Sequence, residues 1–199
     1  MLREVQYPGN YGSAVAVRRA YVARVWRERI AVARFAASVN AFGPLARASR
    51  AVQARLLEEV KAVARCIDVS GEAGKVSGYD RRVLYEEPSR WSLAAIVLRP
   101  GQHTEMHDHG GWGCAVTVQG IERDRRFIHD ASDNPILSRE RSYPPGTGYV
   151  FDPVDVHQPV GADPQRVTVA LHFLVHGSSH HNAKPEIVAF SRQIIENAA

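Results

Sequence analysis

The sequence predicts a mainly β fold, a barrel or sandwich of short antiparallel strands with paired helices packed outside it. Three observations carry this. Apolar residues recur at helical spacing before residue 67 and again near the C-terminal end. From Ser70 onward, strand-like runs of four to eight residues alternate with Gly, Pro, Asp and Asn clusters. A chain of 199 residues can bury one substantial core but is short for two independent ones. The expected organisation is a single domain over 1–199, with a helical region at 1–67, a β-barrel at 68–182 and a short C-terminal helix at 183–199.

Taken in order, Ser13 can cap a first helix that runs to about Ser38, and Gly43-Pro44 breaks it before a second. Leu56, Val60, Val63 and Ile67 recur at spacings of four, three and four, so they share the core-facing side of a helix ending near Cys66. The segment Ser70-Gly71-Glu72-Ala73-Gly74 marks the change of pattern. Strands are then expected at Arg81 to Tyr85, Trp91 to Leu98, Cys114 to Val118, Glu122 to His129, Gly148 to Phe151 and Val167 to Val175. Pro185 opens the last helix, to Asn197, with Ile187, Phe190 and Ile194 at helical spacing. No internal repeat, low-complexity segment or linker interrupts the chain.

Composition excludes several classes. With 45% apolar and 23% charged residues the chain reads as folded, and no uncharged run approaches the roughly 20 residues a membrane span needs. Two cysteines, Cys66 and Cys114, rule out a disulfide scaffold or a multi-cysteine zinc module. The N-terminal residues lack the apolar core of a secretory signal, so the expected location is cytoplasmic. The net charge of +4 is unevenly spread: residues 1–66 hold twelve Lys/Arg against four Asp/Glu, and 67–199 hold thirteen against seventeen. Such an N-terminal excess is compatible with a phosphate surface. However, Arg18, Arg19, Arg24, Arg27, Arg29 and Arg34 are interleaved with Val17, Tyr21, Val22, Val25 and Trp26, which reads as the solvated side of an amphipathic helix. No nucleic-acid or membrane partner is expected.

Chemistry concentrates in Arg99-Pro-Gly-Gln-His-Thr-Glu-Met-His-Asp-His-Gly-Gly-Trp-Gly-Cys114. On a strand, residues two apart share a face, so His107 and His109 can present two imidazoles to one metal inside a barrel. His157, after a second strand-and-turn block from Pro145 to Pro153, is the natural third ligand. The remaining His103, His129, His176, His180 and His181 are expected to face solvent, and Cys114 to be a small buried hydrophobe.

This spacing resembles the first motif of the cupins, a family of double-stranded β-helix (jelly-roll) barrels, which reads Gly, five residues, His-x-His, three or four residues, Glu, six residues, Gly. Gly101 precedes His107 by six, and Gly120 follows Gly113 by seven, so Gly113 stands where the usual carboxylate ligand would be. A three-histidine set resembles one cupin subgroup, the thiol dioxygenases represented by cysteine dioxygenase. The resemblance covers about residues 79–175. It implies Fe(II) held by His107, His109 and His157, and Tyr79 and Arg81 binding the substrate carboxylate. It also implies His172, fifteen residues after His157, as the outer-sphere catalytic histidine.

Two departures matter. The family's Ser-x-His-x-Tyr reads Ala170-Leu171-His172-Phe173-Leu174 here, so His172 loses its usual partners. Counting forward from His109 puts Cys114 at the position of the cysteine that some members link to that tyrosine, whereas counting back from Gly120 puts Gly113 there. The second register is preferred, because the closing glycine ends a strand whereas the loop before it can lose a residue. With Leu174 opposite, neither register permits a thioether.

Chemically, three neutral imidazoles leave a divalent ion its full charge and open positions, which favours a thiol bound as thiolate. The function so implied is oxidation of cysteine by O2 to cysteine sulfinic acid. Two alternatives remain open: a dioxygenase for 3-mercaptopropionate or another mercapto acid, and a non-catalytic metal-binding cupin acting as a sensor with the basic helices as contact surface. Arg81 favours cysteine, since relatives that act on mercaptopropionate often carry glutamine there.

Overall fold

A computed structural model describes residues 11–74 and 77–176, the side chains of 11–19 excepted. Among the described residues the two helices are α1 (Tyr11–Ala41) and α2 (Arg50–Ala64), joined through a 3-10 turn at Leu45–Arg47. Ser49 caps α2, its side chain accepting from the Val52 amide at 3.4 Å, which satisfies one of the free N–H groups of the first turn. Ser13 lies inside α1 rather than at its start, and Ile67 is buried just beyond α2. No helix among the described residues is long and apolar enough to cross a membrane.

Eight antiparallel strands follow: β1 (Asp80–Glu87), β2 (Trp91–Leu98), β3 (Gly113–Gln119), β4 (Glu122–His129), β5 (Pro135–Tyr143), β6 (Gly148–Phe151), β7 (Val156–Gly161) and β8 (Thr168–Val175). They form a five-stranded sheet ordered β1-β2-β8-β3-β6 and a three-stranded sheet ordered β5-β4-β7. This is the mainly β architecture of antiparallel strands with helices packed outside that the sequence predicts. The C-terminal helix expected at 183–199, and His180-His181 with it, lie outside the described residues.

Strand alternation divides the large sheet into two faces. Leu93, Ala95, Val97, Cys114, Val116, Leu171 and Phe173 point outward and pack beneath Val32, Phe35, Val39, Leu56, Val60 and Val63 of the helices. An aromatic cluster of Phe35, Trp91, Trp112 and Phe173 closes this layer with edge-on and tilted contacts, and the Trp112 indole donates to the Leu45 carbonyl at 2.7 Å. Ala94, Ala115, Tyr149, Phe151 and His172 lie on the opposite face, which lines the barrel. Because both faces are covered, β2 is buried along its whole length.

Three expectations change. Two strands, β5 and β7, are not anticipated by the apolar pattern. β5 is an exposed edge strand that opens on Pro135 and reads Ser-Arg-Glu-Arg-Ser at its centre. β7 carries Pro159 inside it, with its carbonyl accepting from Thr104 on the side away from β4, so its missing N–H interrupts no bond of the β4–β7 ladder. Four apolar residues of α1 are exposed among the described residues: Tyr21 is 56% and Trp26 58% exposed, with Val22 and Ile30 alongside, and the described part of the helix packs on the core from Ala31 to Val39.

Candidate metal centre

Backbone pairing brings the histidines together. Residues 101–107 run antiparallel beside β7: the Gly101 amide donates to the Gly161 carbonyl and the Gly161 amide to Gln102, both at 2.8 Å, and the Thr104 amide to Pro159 at 3.0 Å. His107 and His157 then exchange both main-chain hydrogen bonds, at 3.0 and 2.9 Å. Directly opposed antiparallel residues project to the same side. His107 and His157 are therefore neighbours by register. The expectation that His107 and His109 share a strand is corrected, since only His107 makes a bridge and His109 sits in the irregular turn before β3. That turn nevertheless brings His109 back over the same point.

Among the described residues, His107, His109 and His157 form a group whose ligand nitrogens all lie within 4.8 Å of one another. The Nε2 atoms of His109 and His157 are 3.0 Å apart. Two imidazoles bound at about 2.1 Å and at right angles would stand roughly 3.0 Å apart, so His109 and His157 are spaced as two ligands of one ion would be.

Two of the three candidate ligands are oriented from behind. His157 is fully buried and its Nδ1 donates to Asp124 Oδ1 at 2.8 Å, which leaves Nε2 as the lone-pair nitrogen. Arg126 holds Asp124 in turn, Nε to Oδ2 at 2.8 Å, and anchors itself on Asp155 at 2.6 Å and on the Val150 carbonyl at 3.0 Å. Burial pushes the Asp124 carboxyl up, but the bonds and charges of His157 and Arg126 outweigh that and hold it below its usual range. His107 Nδ1 donates to the Glu105 carbonyl at 2.7 Å. Burial, reinforced by His157, depresses His107 to about 4 and takes His109 well below its ordinary value, so both are neutral near pH 7, the state a metal ligand requires.

Gly113 explains the missing carboxylate. A Cβ there would collide with the Phe151 ring and the Phe173 carbonyl, so no side chain fits at the position where the cupin motif carries its acid. Phe151 uses that space to pack on His109 and His157, with ring centroids at 4.8 and 5.1 Å. Gly113 is also the cross-strand partner of Leu174, whereas Cys114 points the other way into the helix-facing core, its thiol pushed up by burial. The register counted back from Gly120 is thus the one the strands adopt.

Cross-strand pairing extends the lining row by row. His172 stands between Ala94 and Ala115, which leads on to Tyr149. His172 is not without partners, as the sequence suggests: its Nε2 lies 3.0 Å from Glu122 Oε1, which also accepts the Tyr149 hydroxyl at 3.1 Å. Arg81 pairs with Ile96, and Ile96 with Ala170, so it lies on the barrel side at the edge of the sheet. It is exposed, makes no hydrogen bond or ion pair among the described residues, and its charge helps depress His109. Arg82 points oppositely and is tied to Glu28 at 2.7 Å and Glu72 at 3.3 Å. Tyr79 is half-buried, one residue before β1, and no described contact joins it to the histidines. His103 and His129 lie elsewhere, beside Gln158 and Asp133.

Sequence reasoning missed Glu122 and Asp124. The available signal was their spacing of two in an expected strand immediately after Gly120, which puts both on the barrel side.

Fold and site together define a double-stranded β-helix with a three-histidine candidate metal centre. No family model matches the sequence. Among solved structures, the chain is similar to a double-stranded β-helix protein of Klebsiella pneumoniae at 15% identity, covering 56% of this chain and 90% of that one with a TM-score of 0.43. It is similar to a cupin superfamily protein of Desulfitobacterium hafniense at 14% identity, covering 57% and 86% with a TM-score of 0.40. It is also similar to an oxalate oxidase bound to the substrate analogue glycolate, at 12% identity, covering 55% and 58% with a TM-score of 0.43.

Proposed function

We propose that the chain is a non-haem iron thiol dioxygenase that converts cysteine and O2 to cysteine sulfinic acid. The observation that supports this best is the donor set: three convergent imidazoles, with a fourth, carboxylate ligand sterically excluded at Gly113. When bound there, Fe(II) would supply a full +2 charge that favours thiolate over thiol, and open positions for sulfur and O2. The balance is simple. A thiolate and one O2 give one sulfinate, both oxygens ending on sulfur, with no outside reductant.

The chain's own residues supply the rest. Asp124 and the Glu105 carbonyl keep the Nε2 atoms of His157 and His107 free to ligate. Phe151 and Leu174 give the site an apolar wall that limits water. Arg81, with Tyr79 two residues before it, would take the substrate carboxylate through a bidentate pair and so orient the sulfur. His172 would hydrogen-bond at the reacting group. Both cysteines are unpaired thiols, which supports a reducing, cytoplasmic setting.

The test is O2 uptake by anaerobically purified, metal-analysed protein offered cysteine, 3-mercaptopropionate and cysteamine. One iron per chain and a preference for cysteine are expected. A preference for 3-mercaptopropionate would move the reading to a mercapto-acid dioxygenase. Stoichiometric metal with no thiol consumed would overturn it in favour of a metal-binding sensor.

A further inference from the structure

Glu122 is fully buried inside the barrel, yet a carboxylate leaves water at a large cost unless donors replace the lost solvation. Two donors meet it, and both reach the same oxygen: the Tyr149 hydroxyl at 3.1 Å and His172 Nε2 at 3.0 Å share Oε1. Oε2 is buried with no partner. Its neighbours belong to the candidate site. Tyr149 lies 6.4 Å, ring to ring, from His157, and His172 stands in the same cross-strand row as Tyr149. His172 keeps 11% of its side chain exposed where Glu122 keeps none.

We infer that Glu122 is a positioning residue that locks His172 in its Nε2–H tautomer and leaves Nδ1 as an acceptor for the substrate. An ionised carboxylate can only accept, so the imidazole nitrogen facing it must carry the proton, and in neutral imidazole the other nitrogen then carries a lone pair. Tyr149, donating to the same oxygen, fixes the carboxylate's rotamer. The array fills the role for which the chain has no serine or tyrosine at Ala170 and Leu174: it orients the histidine from the opposite sheet, β4, instead of from within β8. The identity of the substrate rests on the thiol dioxygenase reading, whereas the array itself does not.

Glu122→Gln preserves shape but gives the amide a donor as well as an acceptor, so the tautomer is no longer dictated. The first measurement is the nitrogen NMR signature of His172 in the zinc-loaded protein. The wild type should show Nε2 protonated, and the variant a mixture or the Nδ1–H form. A wild-type His172 protonated at Nδ1 overturns the inference, whatever the enzyme's activity. The second is kinetic, with the iron-loaded protein. Glu122→Gln should keep full metal content and bind cysteine anaerobically within about threefold, while kcat falls about 10-fold to 150-fold, the size of a lost charge-assisted hydrogen bond. His172→Gln should cost as much, and the double variant no more than either single one. Additive losses, or a Glu122→Gln variant with undiminished kcat, would refute the positioning role. If the wild type oxidises no thiol, the functional reading fails while the tautomer measurement still decides the array.

Discussion

Replacing Asp124 by Asn isolates what the carboxylate behind His157 does for metal binding. Asp124 accepts from His157 Nδ1 through one oxygen and from Arg126 Nε through the other, both at 2.8 Å, and its side chain is 3% exposed. Asn cannot satisfy both. With its oxygen toward His157, its amide opposes the Arg126 guanidinium, donor to donor. With its amide toward His157, Nδ1 must become the acceptor and the proton moves to Nε2, the atom that should ligate. Either orientation forfeits one charge-assisted bond, and loss of such a partner typically weakens metal binding by about 10-fold to 100-fold, or roughly 1.4 to 2.7 kcal/mol. The assay is a competition titration of Zn(II) against a chromophoric chelator at neutral pH, with circular dichroism to verify the fold. His157→Ala, which removes the ligand itself, should weaken binding further than Asp124→Asn. A folded Asp124→Asn protein that binds zinc within about twofold of wild type would show that the tautomer of His157 is set by something else, or that His157 is not a ligand.

Other outcomes follow from the same geometry. In chelated, metal-free protein, His107 stays neutral down to about 4 while the unfolded chain takes up its proton near 6.5, so stability is full above pH 6.5 and falls as pH drops to about 4. The loss attributable to His107 is of order 2 kcal/mol after allowing for its partial exposure, His109 adds to it, and a flat denaturant midpoint across that window would contradict the burial argument. Arg81→Ala should leave stability and metal content unchanged but remove most of the preference for cysteine over cysteamine, an effect of about 10-fold to 150-fold in kcat/KM; equal losses on both thiols would place carboxylate binding elsewhere. Arg82→Ala should do the reverse, costing of order 1 kcal/mol of stability through Glu28 and Glu72 with thiol preference intact, as read by denaturation and the same thiol pair. The intact mass should match the unmodified chain, and a loss of two hydrogens mapping to Cys114 and a tyrosine would refute the outward orientation of its thiol.

What the sequence made legible was local. Leu56, Val60 and Val63 declare their shared face by spacing alone, and β2 declares itself by an unbroken apolar run bounded by turns. The three histidines were readable because the glycines that frame them sit at fixed offsets. What was hidden depends on tertiary register. Nothing local says that residues 101–107 pair with β7, so motif spacing gives reason to expect His107 and His157 to converge while the hydrogen bonds that bring them together stay out of view. β5 is invisible because an exposed edge strand has no apolar alternation to show. The exposed Trp26 and Tyr21 misled for the converse reason: a helix can carry an apolar stripe along a stretch that no other described element covers. Glu122 and Asp124 are charged residues in a strand, a pattern more often solvent-facing, and only the closed barrel turns their side inward.

The acids also clarify why the motif departs where it does. A carboxylate at position 113 and the Phe151 ring compete for one volume, and this chain fills it with the ring. The barrel's negative charge then lies behind the imidazoles, at Asp124 beneath His157 and at Glu122 beneath His172, instead of among the ligands. An acid placed behind a histidine fixes its tautomer and raises its basicity without neutralising the metal, whereas an acid among the ligands removes part of the ion's charge. The first arrangement keeps the centre strongly electrophilic toward an anionic ligand. It would suit the proposed substrate, a thiol that must bind as thiolate, whose carboxylate the proposal gives to Arg81 at the edge of the sheet.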